Sequence, residues 1–539
     1  MPVPGQEEKQ HSALYWFLHN VSRGVAGFFR RHRVGTSMTF LVLALVLFLT
    51  RALWHPLVVH IRQRSFLLVP LLLPVLVWLR LRRQRTFFRK LLTSVACLVV
   101  LTAMYWWGNA VHDYVSLYFR YQDLQIVEMN KLPITGHERL QPLNSIYSLV
   151  HEKVATEMES PQEPDFVRID NGYRWTMAIE PAHLLPRFGI VKELISVDDA
   201  APDFSKREQV DFPVGEGMLL GKNSMSAAVK SFGLWHFLNY EPADVKYVKD
   251  DHGQWVQVVS LIRWTGILFP RPEFGGVQLI RQEQPTLANE IKLMLFGTGT
   301  WISPQEIAYY PFLVGQNNLP FEVSRYIAHS FRFQSGFWGP TPWNHEGDLK
   351  IPDLPADVND QPFTTYFEQV SDRPGMLYHY FALEPYDPNK QGLSVSLLVP
   401  ADGVGDQIYV YRHFLHKESL TGVSAIAAKV MNTRMQFDWT THRPVEHRPF
   451  IRDIDGQRRF FWITTVVTLK EGTPTQVQPA TVAGRNEPVA KEKAEPKWFI
   501  AGASPNIVIT DAASNVPVWI TAGPETWVDQ IKAAETIIK

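Results

Sequence analysis

Three long stretches free of charged side chains stand near the start of the chain, at 34–50, 65–79 and 91–112, with 17, 15 and 22 residues. A helix rises about 1.5 Å per residue and the hydrocarbon core of a bilayer is about 30 Å thick, so a span needs roughly 20 residues. The third stretch meets that length. The first meets it if 52–57 continue the helix and Arg51 snorkels or faces a neighbouring helix. The second is short and carries Pro70 and Pro74, which predicts either a kinked span held by its neighbours or a re-entrant segment. Upstream, Leu14, Phe17, Leu18, Val21, Val25 and Phe28 recur at helical spacing beside Arg23, Arg30 and Arg31. That pattern predicts a helix lying along the inner leaflet or against a partner. The first stretch begins too deep for a cleaved signal peptide, and no small-residue cleavage site follows it.

Beyond residue 113 the apolar positions fall into strand-length runs separated by turn residues. One arrangement occurs three times: Phe166-Val167-Arg168 before Gly172, Tyr247-Val248-Lys249 before Gly253, and Phe450-Ile451-Arg452 before Gly456. Aspartate fills each turn, as Asp170, as Asp250 with Asp251, and as Asp453 with Asp455. Apolar-rich runs come next at 175–179, 255–262 and 460–469. Each copy reads as a strand, an Asp/Gly turn and a returning strand, with glycine supplying the positive φ. Helix-patterned segments precede them at 145–160, 222–238 and 419–435. The expected unit is therefore a helix laid on an antiparallel β-meander. Gly375 opens a degenerate fourth copy, with strands at 376–383, 393–399 and 407–414.

This helix-plus-curled-sheet unit resembles the PepSY and cystatin-like modules of bacterial envelope proteins. Pro505-Asn506-Ile507-Val508-Ile509-Thr510-Asp511-Ala512 looks like the closing PepSY strand, and Ile195-Ser196-Val197-Asp198 is a shorter echo. The resemblance covers about half of the region beyond 113. It implies a binding or regulatory module facing other envelope proteins, and no chemistry.

The remaining segments fill in the order. Residues 286–296 read as a helix closed by Gly297, and Ser303-Pro304-Gln305-Glu306 is a capping box that predicts another helix start. A third helix is expected at 320–331. Residues 333–362, rich in Trp, Pro and Asp, predict a long ordered loop and contact surface. Residues 471–497 predict a flexible loop, and 524–538 a short terminal helix.

Charge sharpens this division. The formal net charge is zero, yet residues 1–112 hold 14 Lys/Arg and two acids while the other 427 hold 39 Lys/Arg and 51 Asp/Glu. A +12 anchor is thus joined to a −12 aqueous portion. Arg23, Arg30, Arg31 and Arg33 precede the first stretch, and Arg80, Arg82, Arg83, Arg85, Arg89 and Lys90 lie between the second and third. Only Arg51, Arg62 and Arg64 stand between the first and second. The positive-inside rule then places the N-terminus and the 80–90 link in the cytoplasm. Three crossings deliver the chain to the other side near Tyr105, Trp106 and Trp107, an aromatic belt. The single cysteine, Cys97, lies in the third stretch, so the large portion folds without a disulfide.

Candidate chemistry is thin. In His442-Arg443-Pro444-Val445-Glu446-His447 the histidines stand five apart and Pro444 breaks the helix that a zinc peptidase pair requires. His413 and His416, beside Glu418, would point to opposite faces of a strand. Gly217 to Ser224 suggests a phosphate loop, but Glu216 stands where a glycine is needed and Asn223 replaces the Ser/Thr after Lys222. Gly221-Lys222-Asn223-Ser224 reads better as a helix cap. Ser224 and Ser226 before Lys230 look like an ordinary helix surface, and the Asp198-Asp199 and Asp250-Asp251 pairs like turns. An acidic domain disfavours nucleic acid. No acid lies between Glu8 and Asp113, which argues against an ion or proton path.

Together these readings predict a multi-pass protein of a bacterial inner membrane, with about three N-terminal helices and a periplasmic α+β portion of repeated helix–meander units. The expected divisions are 1–33, the spans at 34–112, then 113–285, 286–362 and 363–539. The expected role is a non-enzymatic scaffold or binding component of an envelope assembly such as a secretion or conjugation machine. Expected partners are membrane lipids, other envelope proteins and a second copy of the chain; no catalytic, cofactor or metal residues are assigned. The alternatives are an envelope hydrolase, a peptidase or glycan-modifying enzyme with its site in 333–447, and a pore or transporter subunit.

Overall fold

The structure is a computed structural model. It describes residues 33–67, 87–138, 141–154, 158–170, 172–198, 207–340, 347–352, 361–368, 370, 375–387, 392–434, 437–471, 498–500, 506–521 and 524–538. The expected helix at 14–31, nearly all of the second apolar stretch, most of the 80–90 link and the 472–497 loop lie outside these residues. The chain forms two compact units, residues 1–54 and 55–539.

The first unit holds α1 (Arg33–Leu49), the first apolar stretch. Every residue from Leu41 to Val46 is exposed although all are apolar. Thr50 Oγ1 donates to the Val46 carbonyl at 2.7 Å and Arg51 Nη1 to that of Phe48 at 2.7 Å, so the last carbonyls of the helix are satisfied by side chains. The chain does not run on straight as expected for 52–57. It breaks at Thr50 and continues as α2 (Arg51–Gln63). Leu53, Leu57 and Ile61, spaced four apart on one face of α2, are exposed.

In the second unit, α3 (Phe87–Gln122) carries the third apolar stretch and continues ten residues past it. It bends by 43° between Leu92–Ala103 and Trp106–Gln122. Among the described residues no single helix is long and apolar enough to cross a membrane; two bent pairs, within α1–α2 and within α3, reach that length and composition together.

After α3 the chain builds a mixed α/β assembly of largely antiparallel sheets. Beyond β1 (Gln125–Glu128) and β2 (Thr135–Gly136), α4 (Leu143–Val154) leads into β3 (Glu159–Pro161), β4 (Asp165–Ile169), β5 (Gly172–Pro181), β6 (Val191–Asp198) and β7 (Arg207–Phe212). These five strands form one sheet, ordered β3-β5-β6-β7 with β4 also on β5. Next come α5 (Ser224–Ser231), α6 (Leu234–Asn239), β8 (Tyr240–Lys249), β9 (Trp255–Thr265), β10 (Arg271–Arg281), α7 (Leu287–Phe296) and β11 (Thr300–Ile302). The second sheet runs β11-β10-β9-β8.

The third sheet is the largest. It comes after α8 (Phe321–Ser330), with β12 (Leu349–Lys350), β13 (Phe363–Phe367), β14 (Leu377–Pro385), β15 (Val395–Pro400) and β16 (Gln407–Arg412). The early strands β1 and β2 form its two edges, and β1 pairs with β16 in parallel. Finally α9 (Val423–Thr433) precedes β17 (His442–Ile454), β18 (Gln457–Glu471), β19 (Trp498–Ile500), β20 (Asn506–Asp511) and β21 (Pro517–Ile520), and α10 (Trp527–Ile538) ends the order.

All three expected hairpins form, as β4–β5, β8–β9 and β17–β18. The positive φ falls on Gly253 in the second and on Asp455 and Gly456 in the third, whereas in the first it falls on Asp170 and Gly172 is a strand residue. Asp455-Gly456 closes a two-residue turn between Ile454 and Gln457, the geometry that suits the twist of the strands it joins. Residues 460–469 read as nearly unbroken apolar sequence because both faces of β18 are covered. Phe460 and Trp462 face Val423, Ile426 and Val430 of α9, while Phe461 and Ile463 face Trp527 and Ile531 of α10. The other helices cover sheets in the same way: Ile146 and Val150 of α4 on Trp175, Ala227 and Ala228 of α5 on Val258, and Val323 and Ile327 of α8 on Phe381.

Two expectations need adjustment. The capping box forms its bond, with Ser303 N–H donating to Glu306 Oε2 at 2.9 Å, yet only the short turn Ile307–Tyr309 comes after it. The helix expected over 222–238 breaks at Phe232 and Gly233 into α5 and α6. Helix α7 keeps both expected ends, Thr286 accepting from Asn289 N–H and Gly297 adopting φ +72°.

Candidate functional site

The last three turns of α3 leave their apolar stretch and enter the α/β body. Tyr114 meets Phe333 at 4.7 Å, Tyr118 meets Phe337 at 5.0 Å and Tyr121 meets Phe331 at 5.5 Å, each edge-on. Tyr326 Oη donates to Ser116 Oγ at 2.6 Å, Tyr114 donates to the Phe337 carbonyl, and Arg271 pairs with Asp123. One residue beyond Leu124, β1 joins the largest sheet. The helix is therefore continuous with the core of the body.

The end of α2 is fastened to the same region. Arg62 donates to Asn239 Oδ1 at 3.0 Å, to the Trp264 carbonyl at 3.1 Å and to that of Gly266 at 2.6 Å. Gln63 donates to Glu241, and Ser65 donates to the Ile267 carbonyl. Phe66 stacks on His112 of α3 at 4.9 Å, and His112 lies 6.1 Å from Phe269. A Cβ on Gly108 would sit 2.6 Å from the Phe66 ring, so glycine is what lets the ring lie flat on the helix. On the residues before this joint, Leu92, Leu98, Val99, Trp106 and Trp107 are all more than 60% exposed. Past this joint Tyr114, Tyr118 and Tyr121 pack on the body, while Phe119 is still 45% exposed.

The residues singled out from the sequence are occupied elsewhere. His442 Nδ1 lies 2.9 Å from the Asp438 carbonyl and its ring packs on Phe437, while His447 is buried with Nδ1 2.9 Å from Thr464 Oγ1. Burial pushes His447 down to about 3, so it is neutral. Glu446 Oε1 accepts from the Leu143 N–H at the start of α4. His413 and His416 lie on the short helix His413–His416 rather than on a strand, so they share a side: one ring is edge-on to Tyr411 and the other stacked on it. His413 is fully buried between Ser396 Oγ and Glu418 Oε2. Asn223 caps α5 by accepting from Ser226 N–H at 3.1 Å, as expected. Lys222 pairs with Glu290 at 2.6 Å and Lys230 donates to the Met294 carbonyl. Asp250 accepts from the N–H groups of His252 and Gln254, which is turn chemistry; Asp199 lies outside the described residues.

Two polar constellations had no signal in the sequence. Ser324 of α8 lies 2.5 Å from His379 Nδ1 of β14, and His379 Nε2 lies 2.6 Å from Asn317 Oδ1. The order is that of a nucleophile, a base and an orienting amide. All three are buried, however, with Phe321 edge-on to the imidazole, and burial holds His379 well below the usual histidine range. The set ties α8 to β14 and meets no solvent. Its members come from positions 317, 324 and 379, so no local motif announces it.

Nearby, Lys246 donates to the Asn317 carbonyl and pairs with Asp244 at 2.7 Å. Asp165, Glu163, Glu180 and Glu216 lie about the same place. Desolvation first, and the neighbouring carboxylates next, raise Asp165 and Glu216 well above the usual carboxylate range. Burial likewise pushes Glu180 up to about 7, although it accepts from the N–H groups of Glu216 and Gly217 at 2.7 and 2.8 Å. Burial thus disfavours the charged form of all three acids. Among the described residues no three His, Cys, Asp or Glu side chains are arranged to hold a metal ion.

No family model, curated protein or solved structure matches this chain. The segments that resemble PepSY modules are strands here, β20 and the end of β6, as antiparallel meanders of many kinds would have.

Proposed function

We propose that this chain is a membrane-anchored, non-enzymatic scaffold or binding component of a bacterial envelope assembly. Three N-terminal spans hold it, and its repeated helix–meander portion stands outside the cytoplasm. The observation that carries the anchor is the outward apolar surface of α1 and of the first half of α3. Water leaves such surface uncovered at a cost of about 25 cal/mol for each Å², whereas lipid covers it. The +12 charge of residues 1–112 supports the cytoplasmic placement of their flanks.

The scaffold part is supported by the way α3 passes into the largest sheet, which holds the body at a fixed height. It is supported also by a second apolar knuckle. Met158, Leu184, Leu185, Phe188 and Leu220 are exposed large apolar side chains. Backbone bonds from Ala182 N–H to Met158 and from Leu219 N–H to Arg187 draw their segments together. An envelope protein docking there would cover them.

Topology is testable because Cys97 is the single cysteine. In a Cys97→Ser background, Ser514→Cys on an exposed turn should react with a membrane-impermeant maleimide in intact cells after the outer membrane is opened. Labelling only after lysis would place the body in the cytoplasm. Cross-linking of the full-length protein in its native membrane should then recover defined partners at fixed stoichiometry, joined through residues beyond 113. A lone monomer, or turnover of a generic ester, glycan or peptide, would overturn the scaffold.

A further inference from the structure

We infer that the body carries a second lipid contact of its own: α6 and the β9–β10 loop rest on the outer leaflet of the membrane that anchors the chain. This rests on the anchoring proposed above and adds a surface to it.

Helix α6 is one-sided in the wrong sense for an aqueous domain. Phe237 and Asn239 turn inward, Phe237 meeting His55 of α2 at 4.9 Å and Asn239 holding Arg62. Leu234 and Trp235 are 77% and 70% exposed, and Leu238 is exposed beside them. The β9–β10 loop repeats the pattern: Ile267 is 82% exposed with Leu268 beside it, while Phe269 turns back toward His112.

The points of attachment identify what covers these side chains. Arg62 bonds Asn239 at the end of α6 and the carbonyls of Trp264 and Gly266 at the start of the loop. Ser65 bonds Ile267 itself. The next residue, Phe66, stacks on His112, which follows the exposed Val111 of α3. The exposed leucines and tryptophan are therefore continuous with the lipid-facing surface. The exposed Leu57 and Ile61 of α2 lie on the helix that binds both elements. Leucine, isoleucine and tryptophan beside a helix that enters a bilayer are the composition of an interfacial contact.

The test uses the full-length Cys97→Ser protein in vesicles of phosphatidylethanolamine and phosphatidylglycerol. Single cysteines replace Trp235, Ile267, Leu98 in α3 and Ser514 on the exposed turn after β20, each carrying an environment-sensitive fluorophore. Trp235→Cys and Ile267→Cys should show blue-shifted emission, strong quenching by doxyl-labelled lipid and little by iodide, as Leu98→Cys does; Ser514→Cys should show the reverse. If Leu98→Cys is quenched by lipid while 235 and 267 are quenched by iodide, the anchor stands and the second contact is overturned. If Leu98→Cys is itself quenched by iodide, the anchoring is overturned and the contact with it.

Discussion

The two halves of α3 carry different side chains in different surroundings. Leu92, Val95, Leu98, Val99 and Val111 point outward, whereas Tyr114, Tyr118 and Tyr121 interlock with Phe331, Phe333 and Phe337. The inward half uses tyrosine, whose ring packs and whose hydroxyl at 114 donates to Phe337, and the outward half is largely aliphatic up to Tyr105, Trp106 and Trp107. A helix thus shows its two surroundings through the polar handles on its aromatic residues as well as through hydropathy.

The largest separation between the halves should come from truncation. Phe331 is fully buried against Tyr121 and the α8 core, so Phe331→Ala should cost about 3–5 kcal/mol. Leu98→Ala, on the outward half, should stay within about 0.5 kcal/mol for the body's unfolding. Thermal melts of both full-length variants in mild detergent compare them, and equal losses would mean that Leu98 packs on protein.

A smaller effect is expected where α2 meets the body. Arg62→Ala leaves Asn239 and two carbonyls without their donor, which should cost about 2 kcal/mol. Arg62→Lys should recover only part of it, because a single ammonium cannot reach three acceptors in a fork. Full recovery by lysine would show that charge, and not the fork, holds the joint.

Local chemistry made some of this legible. The β17–β18 turn could be read from Asp455-Gly456 between apolar runs, and α7 from Thr286 and Gly297 at its ends, because each depends on neighbours in sequence. The break between α1 and α2 could not, since the side chains of Thr50 and Arg51 return to the Val46 and Phe48 carbonyls, contacts that hydropathy does not signal. The parallel pairing of β1 with β16 and the Ser324–His379–Asn317 set join distant positions and leave no period to detect. The histidines at 442 and 447 show the converse: close in sequence, they differ in setting, His442 paired in the ladder and His447 in the bulge between Val445 and Arg448, and they hydrogen-bond to different partners.

The smallest effect concerns Glu241, which accepts from Trp264 Nε1 at 3.0 Å and from Gln63 of α2 at 3.4 Å. Burial raises it to about 7 from an ordinary 4.5, with the nearby Glu322 adding to the rise. The folded protein therefore binds this proton more tightly than the unfolded chain does. The resulting stability is fully present below about pH 4.5 and is lost as pH climbs through 7. Glu241→Gln keeps an acceptor for Trp264 and removes the proton equilibrium. Between pH 5.5 and 8 the wild-type Tm should thus fall relative to that of the variant, modestly, because a half-buried carboxylate is partly screened by water. Subtracting one curve from the other removes what His447, His379 and the Asp165–Glu216 cluster contribute to both. Parallel curves would mean that Glu241 is already ionised in the folded state. The joint between α2 and the body would then hold an ionised carboxylate as well as the guanidinium of Arg62.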